Sequence, residues 1–160
     1  MDAAIESLLN KLVDGHEELR KAVVGAPPEA LNWRPGENTN SLAVLVIHPL
    51  ASQNWWIHIG AGIPPDKRDR DAELRYTADS VEPLLAALEA ADKHQAEVLG
   101  NLTLEHLGQL TDRSKAPQLP PDAAPTITHL WCILHAIEHG REHAAHAGLT
   151  RQLWDQGFGR

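Results

Sequence analysis

Apolar side chains in the first part of the chain recur with the 3.6-residue period of an amphipathic helix. The stripe consists of Ile5, Leu8, Leu9, Leu12, Val13, His16, Leu19 and Val23. Such a stripe packs along one face, while the intervening charged residues stay in solvent. The pattern ends at Gly25-Ala26-Pro27-Pro28, which cannot continue a helix. The sequence therefore predicts a first helix that ends near Val23.

Two further helices are predicted from their capping residues and apolar positions. Asn40 or Ser41 can cap a second helix that runs to about Gly60, because each side chain can accept a hydrogen bond from a free N–H of the first turn. The stretch Asp79-Ser80-Val81-Glu82 has the form of a capping box and predicts the start of a third helix. A short helix within residues 102–110 is predicted to follow.

The fourth long helix lies near the C-terminus, and polar connections separate all four. Thr126 is predicted to cap this helix, which extends to about Gly148 and precedes a separate C-terminal piece. Residues 29–39, 62–77 and 116–125 are rich in Pro, Gly or polar residues and are predicted connections. The second of these is the longest and is predicted to be a crossover.

Four long helices and almost no strand pattern predict an all-α protein. At 160 residues the chain is long enough to bury one substantial core. Neither an internal repeat nor a second domain is visible in the sequence. We therefore predict a single four-helix-bundle domain over residues 1–160, with a long crossover loop.

The charge balance excludes one class of partner. The chain carries 22 acidic and 14 basic residues, for a formal net charge of −8. A nucleic-acid-binding surface needs clustered Lys and Arg, whereas the basic residues here are scattered. The densest charged run, Lys67-Arg68-Asp69-Arg70-Asp71, alternates in sign and is interpreted as a solvated loop. No nucleic-acid partner is expected.

Neither a membrane span nor a secretory signal is visible. No segment approaches the roughly 20 apolar residues of a membrane helix. The N-terminus is charged from Asp2 onward and lacks the apolar stretch of a signal peptide. Cys132 is the only cysteine, which rules out an internal disulfide and fits a reducing compartment. We expect a cytoplasmic protein with no membrane partner, in which Cys132 is a small buried hydrophobe.

Four of the ten histidines, His135, His139, His143 and His146, fall within twelve residues of the predicted fourth helix. At about 100° per residue, all four share one stripe of that helix. Neutral imidazole is a common metal ligand, and two imidazoles four residues apart on one face can bind one ion. Spacing permits His135 with His139, or His139 with His143. His135 and His146 lie about 16 Å apart along the axis and cannot share an ion.

A third ligand is expected from another helix, which would leave coordination positions open for chemistry. The candidates are His16, His48, His58 and His94. A lone histidine in an apolar run, as His48 is, often belongs to the core, yet bundle cores also build metal sites from facing helices. The alternative in which the histidine stripe packs without any ion stays open.

Ordered motifs along the chain resemble those of DinB-like proteins. The first half carries Leu31-Asn32-Trp33-Arg34-Pro35, then Ser41-Leu42-Ala43, His48-Pro49-Leu50-Ala51 and the pair Trp55-Trp56. Members of this family typically show a Trp-Arg-Pro turn, followed by a helix with a metal-binding histidine and an aromatic pair. The helix from His135 to Arg151 is similar to the closing helix of the family, with its His-x-x-x-His pattern. Together these motifs cover nearly the whole chain in the same order.

The resemblance implies both a fold and a metal site. The fold would be an up-down-down-up four-helix bundle, often a homodimer. The ion would be divalent, with zinc or nickel favoured and iron or manganese as alternatives. Its three ligands fall on His48, His139 and His143. His146 would then lie near the site, and His135 one turn below it.

Further residues are predicted around these ligands. Ser52 and Trp55 share the face of the second helix that carries His48, and they would line the approach to the metal. Trp33 is a further candidate wall of this cofactor-binding pocket. Glu142 is predicted as a catalytic base or as a group that orients a ligand, with an exposed helix carboxylate as the alternative.

The predicted function follows from an open ligand set. Three neutral imidazoles with free coordination positions are typical of a catalytic metal site. Some family members resemble low-molecular-weight thiol transferases or thiol-dependent isomerases. We therefore predict a metal-dependent transferase that activates a low-molecular-weight thiol, or metal-bound water, toward a small-molecule substrate. The alternatives are a non-catalytic bundle that is stabilised by its ion or senses metal, and a small-molecule metallohydrolase.

Overall fold

The computed structural model describes residues 1–111 and 127–159, and the regular secondary structure in these two ranges is helical. The helices are α1 (Ala3–Val23), α2 (Pro28–Asn32), α3 (Leu42–Gly60), α4 (Arg70–Leu74), α5 (Glu82–Gly100), α6 (Leu104–Leu107) and α7 (His129–Asp155). This architecture confirms the predicted all-α class. None of the helices in the two ranges combines the length and apolarity that crossing a membrane requires.

Two helix starts follow the capping chemistry of the sequence. The Ser41 hydroxyl accepts a hydrogen bond from the Val44 N–H and caps α3. At α7 the cap is Thr128, whose hydroxyl accepts from the Trp131 N–H. The predicted cap Thr126 was therefore wrong by two residues. Thr126 and the predicted connection 116–125 lie outside the described residues.

The predicted capping box at the start of the third helix was wrong. The helix begins at Glu82, and its N-cap Val81 makes no side-chain hydrogen bond. A cap at Asp79 would require the N–H of Pro83 to bond to the Asp79 carbonyl, and proline has no N–H. Pro83 fits the first turn instead, where no N–H is needed.

The last helix is longer than predicted, and two connections contain short helices. The helix α7 continues past Gly148 to Asp155, so there is no separate C-terminal piece. Trp154 packs against Trp33 with ring centroids 5.8 Å apart, and this tertiary contact outweighs the low helix propensity of a single glycine. The helix α2 lies at the start of the predicted connection 29–39, and α4 lies in the crossover 62–77.

Two clusters of buried apolar residues show the direction of the four long helices. One cluster includes Leu19, Leu42, Leu84 and Ala144, and the other includes Ile5, Ile57, Leu99 and Ile133. Leu19 and Ala144 lie in the C-terminal halves of α1 and α7, whereas Leu42 and Leu84 lie in the first turns of α3 and α5. The helices α1 and α7 therefore run in one direction, and α3 and α5 run in the other. This is the predicted up-down-down-up order. Because α3 and α5 are parallel, the chain must return along the bundle between them, and α4 lies on that return.

A buried polar network joins three helices at mid-height of the bundle. The His16 ring is fully buried, with Nε2 2.9 Å from Gln53 Oε1 and Nδ1 2.6 Å from Asp92 Oδ1. Arg20 also binds the Asp92 carboxylate. These contacts connect α1, α3 and α5, and they hold the Gln53 amide in one place.

The fourth helix approaches this network at Gly140. A Cβ atom at this position would overlap the side-chain amide of Gln53, whose residue is only 2 % exposed. Since Gly140 directly follows His139, the close approach of α3 and α7 at this point lies next to the histidine stripe. A Cβ at Gly148, on the same helix, would meet open space.

We expect Gly140→Ala to lower the free energy of unfolding by about 1–3 kcal/mol, because overpacking forces the anchored Gln53 amide or the helix to move. The matched control Gly148→Ala should instead stabilise the protein by roughly 0.5–1 kcal/mol, the gain of Ala over Gly in a helix. Urea denaturation of both variants measures the difference. A stabilising Gly140→Ala would show that the contact does not set the spacing of the two helices.

Candidate metal centre

Three histidines from two helices converge inside the bundle. His48 of α3 faces His139 and His143 of α7, and one ring nitrogen from each lies within 4.8 Å of the others. Their ring centroids are 5.4, 5.2 and 4.5 Å apart in the three pairs. These are the three residues that the sequence analysis predicted as metal ligands. We call them the His triad.

The spacing of the His triad fits one tetrahedral ion. The Nε2 atoms of His139 and His143 are 3.2 Å apart. Two nitrogens bound to one zinc ion at 2.0–2.1 Å with a tetrahedral angle lie about 3.3 Å apart. The nitrogen of His48 lies within 4.8 Å of the other two, so its ring would move by up to about 1.5 Å to reach the same spacing. A divalent ion therefore fits this donor set.

The electrostatic surroundings keep the triad uncharged. Burial lowers the pKa of His139 to about 3 and that of His143 to about 4, and neighbouring histidines add to the shift. Burial also lowers the pKa of His48, although its hydrogen bond to Glu73 acts in the opposite direction. Neutral imidazoles carry the lone pair that a metal needs, so these ligands are ready at neutral pH.

Glu73 orients the first of the three rings. Its Oε2 lies 2.9 Å from His48 Nδ1, and Arg68 donates two hydrogen bonds to the same carboxylate at 3.0 and 2.7 Å. Burial alone would raise the pKa of Glu73, but the hydrogen bonds from Arg68 and His48 outweigh it and lower the pKa. The ionised carboxylate accepts the Nδ1 proton of His48. The lone pair of His48 is therefore on Nε2, and the tautomer is the one needed for binding through that atom.

The sequence analysis missed Glu73 and misread Arg68. Glu73 is 8 % exposed, and the Arg68 side chain is 10 % exposed, so this part of the charged run is not a solvated loop. One signal in the sequence was Asp69, which can cap a short helix within this polar stretch. In the structure its side chain caps α4 by accepting a hydrogen bond from the Ala72 N–H. Nothing local to Glu73 indicates that it faces His48.

The other two rings of the triad are held by packing. The Nδ1 atoms of His139 and His143 are buried and have no hydrogen-bond partner within the described residues. Both rings meet His48 edge to face, at interplanar angles of 70° and 85°. Glu73 is thus the one carboxylate that hydrogen-bonds to the triad in the described part of the chain.

The remaining histidines of the predicted stripe lie beside the triad. His135 stacks on Trp131 with ring centroids 5.0 Å apart and meets the edge of Trp56 at 4.7 Å. His146 is exposed, with its ring centroid 6.2 Å from that of His143.

The other candidates for the third ligand are engaged elsewhere. His16 belongs to the polar network with Gln53. His58 and His94 pair with each other, with their Nε2 atoms 2.7 Å apart.

The structure places the other predicted site residues in different surroundings. Glu142 is exposed on α7, and Ser52 is buried on α3. Trp55 lines a cavity together with Glu73 and Arg68, whereas Trp33 contacts Trp154 near the end of α7. Their proposed roles stay predictions.

Cys132 is a buried hydrophobe, as predicted. The residue is fully buried in the core cluster of Ile5 and Ile133. Burial raises the pKa of its thiol to about 11, so the thiol stays protonated at neutral pH. Cys132 therefore lacks the thiolate character of a reactive cysteine.

We expect the free energy of unfolding of the metal-free protein to fall as the pH drops from about 6.5 toward 4. Folding lowers the pKa of His139 to about 3 and of His143 to about 4, whereas the unfolded rings titrate near 6.5. Unfolding therefore takes up protons in this window, and the stability from the neutral rings is complete only above it. Denaturation curves at several pH values measure the slope. Replacing His139 and His143 with Asn should reduce this slope by the equivalent of up to about two protons. An unchanged slope would show that these two rings do not take up the protons.

The fold and the three converging imidazoles define a helical-bundle protein with a candidate metal centre. Residues 11–147 match the DinB superfamily, and the chain belongs to that superfamily. It also superposes on a crystal structure described as a conserved protein from Enterococcus faecalis, with a TM-score of 0.77. That match covers 96 % of this chain and 97 % of the other. Because the sequences are only 17 % identical, it shows similarity of the fold alone. No curated protein matches the chain.

Proposed function

We propose that this protein binds one divalent metal ion through the His triad and uses it to activate a low-molecular-weight thiol, or water, toward a small-molecule electrophile. The observation that carries the proposal is the convergence of one ring nitrogen from each of three imidazoles within 4.8 Å, with His143 also lining a cavity. A four-coordinate ion held by three protein ligands keeps one position for a substrate. Zinc and nickel suit imidazole ligands, and iron or manganese are further candidates.

Each residue of the site would have a distinct role in binding the ion. His48, His139 and His143 would hold the ion through neutral nitrogens. Glu73 would keep the proton of His48 on Nδ1, and Arg68 would keep Glu73 ionised. When bound, the ion supplies Lewis acidity, which lowers the pKa of a thiol or water at its open position.

The reaction class is a substitution at an electrophilic carbon. The thiol sulfur forms a new bond to that carbon, the leaving group departs with its electron pair, and the thiol proton balances the charge of the leaving group. With water in place of the thiol, the same site would be a small-molecule hydrolase. Glu142 is a candidate base for the released proton, because it lies next to His143 on α7.

Turnover measurements test this proposal. The metal-loaded protein would be screened with several low-molecular-weight thiols against a panel of electrophiles, with water alone as the comparison. We expect turnover that is lost in His48→Ala, His139→Ala and His143→Ala and is retained in His146→Ala. Equal rates for the wild type and the three triad variants would reject the enzyme.

A second candidate is a non-catalytic, metal-stabilised or metal-sensing bundle. It is favoured by the position of the His triad, because an ion there would cross-link α3 and α7 and bind only the folded state. In that case chelation would lower the melting temperature strongly, and no thiol or electrophile would change the visible spectrum of the cobalt-loaded protein. A spectrum that responds to a thiol would favour the enzyme. The homodimer that the resemblance implies and the cytoplasmic location expected from the sequence remain proposals that ultracentrifugation and fractionation can test.

A further inference from the structure

A cavity of about 490 Å³ lies directly beside the His triad. His143 and His146 form one side of it, Leu149 and Leu153 continue along α7, and Leu45 contributes from α3. The loop between α2 and α3 contributes Asn38, Thr39 and Asn40 to the lining. Its volume falls in the range of about 300–1,000 Å³ that is usual for small-molecule sites.

Among the described residues, the lining of this cavity contains no carboxylate, ammonium or guanidinium group. Of the ten described residues that line it, none is Asp, Glu, Lys or Arg. The chain as a whole is 22 % charged, with a net charge of −8, so this is a local feature. A second cavity, beyond Glu73, shows the contrast: Asp66, Lys67, Arg68 and Asp69 all line it.

An uncharged lining selects against charged ligands. A carboxylate or ammonium group that enters the cavity loses hydration and finds no opposite charge in return. The leucines instead favour apolar groups, and the two asparagine amides and the Thr150 hydroxyl can hydrogen-bond a neutral polar group. Apolar walls with a few polar groups are typical of sites for small organic molecules.

We propose that this cavity binds an uncharged, partly apolar portion of the substrate, which extends from the reacting group beside His143 along the leucines of α7. The proposal rests on the proposed function for its reaction, because the cavity positions its ligand beside His143. The selectivity itself follows from the lining and does not require the ion.

Three probes that share one aromatic ring test the selectivity. Benzyl alcohol is neutral, benzoate is anionic and benzylammonium is cationic. Their affinities for the full-length protein would be measured by NMR titration at pH 8, where imidazoles are uncharged, both before and after metal loading. The metal-free measurement separates the cavity from direct coordination of benzoate. In the metal-free protein we expect benzyl alcohol to bind at least about tenfold more tightly than either charged probe, whereas a bound ion adds affinity for benzoate alone.

A charge inserted into the lining should reverse this preference. In Leu149→Asp the short side chain keeps its carboxylate at the cavity, so we expect benzylammonium to gain affinity and benzoate to lose it. The matched control is Leu134→Asp on the same helix, outside the cavity. Both leucines are about half exposed, at 55 % for Leu149 and 48 % for Leu134, so neither variant should prevent folding.

The possible results separate this inference from the proposed function. Equal affinities for the three probes, no binding of benzyl alcohol, or the same shift in both aspartate variants would overturn the inference even if the protein binds metal and turns over. Selective binding of benzyl alcohol by a protein that holds no metal would support the cavity and reject the metal-dependent reaction.

Discussion

Replacing His139 with Ala is expected to reduce the metal content from about one ion per chain to a small fraction of that value. His139 is one of the two triad rings on α7, and its Nε2 lies 3.2 Å from that of His143 while its centroid lies 5.4 Å from that of His48. Without it, the two remaining rings belong to different helices and retain no i,i+4 pair. Because structural zinc binding is worth about 10–16 kcal/mol, the loss of one of three ligands should weaken affinity by at least about 100-fold.

Elemental analysis of protein purified without a histidine tag measures the ratio, and a competition titration with a chromophoric chelator measures the affinity. The matched control is His146→Ala, because His146 is an exposed histidine on the same helix and not part of the triad. We expect its metal content to equal that of the wild type. If His139→Ala retained one ion per chain, the ion would be bound elsewhere and the proposed centre would be wrong.

Removing the Glu73 carboxylate is expected to weaken metal binding by about 10–100-fold, the usual effect of losing the partner of a metal-binding histidine. In Glu73→Ala the His48 ring loses the acceptor 2.9 Å from Nδ1, so both the orientation and the tautomer of His48 are released. Arg68 also loses its partner inside the fold, and such a broken buried pair costs roughly 3–5 kcal/mol of stability. Lower stability of the metal-free protein should therefore accompany the lower affinity.

Two further variants separate the positioning role from general destabilisation. Asp71→Ala removes an exposed carboxylate from the same short helix and should change neither property. Glu73→Gln keeps an acceptor for the His48 proton but not the charge that pairs with Arg68, so its metal affinity should lie between those of the wild type and Glu73→Ala. Cobalt spectra of the loaded proteins report the ligand field directly. An unchanged spectrum and affinity in Glu73→Ala would show that Glu73 acts on stability alone.

Helix boundaries were predictable where local chemistry determines them. Ser41 caps α3 because its hydroxyl can reach the Val44 N–H within one turn, and this requires no information from the rest of the chain. The predicted boundaries were wrong where a second constraint acted against the local signal. Pro83 lacks the N–H that a cap at Asp79 needs, and the packing of Trp154 on Trp33 extends α7 beyond Gly148.

The two ligands of the candidate site on α7 could also be predicted from the sequence. His139 and His143 are four residues apart, and the geometry of one helix places them on the same face whatever the helix packs against. His48 is different, because the apolar run that distinguishes it from the other candidate histidines is also typical of a core residue. Its selection came from the resemblance to DinB-like proteins.

The sequence by itself determined the helical segments, the stripe that carries four histidines and the absence of a second cysteine, because these depend on residue type and on spacing within one element. Only the tertiary structure showed that His48 reaches His139 and His143, and only the tertiary structure identified the carboxylate that orients His48. Glu73 belongs to no recognisable motif and lies 25 residues from His48 in the chain, yet its Oε2 is 2.9 Å from His48 Nδ1. Such a contact depends on how the crossover between α3 and α5 folds back on the bundle, and side-chain periodicity within a helix contains no information about that path.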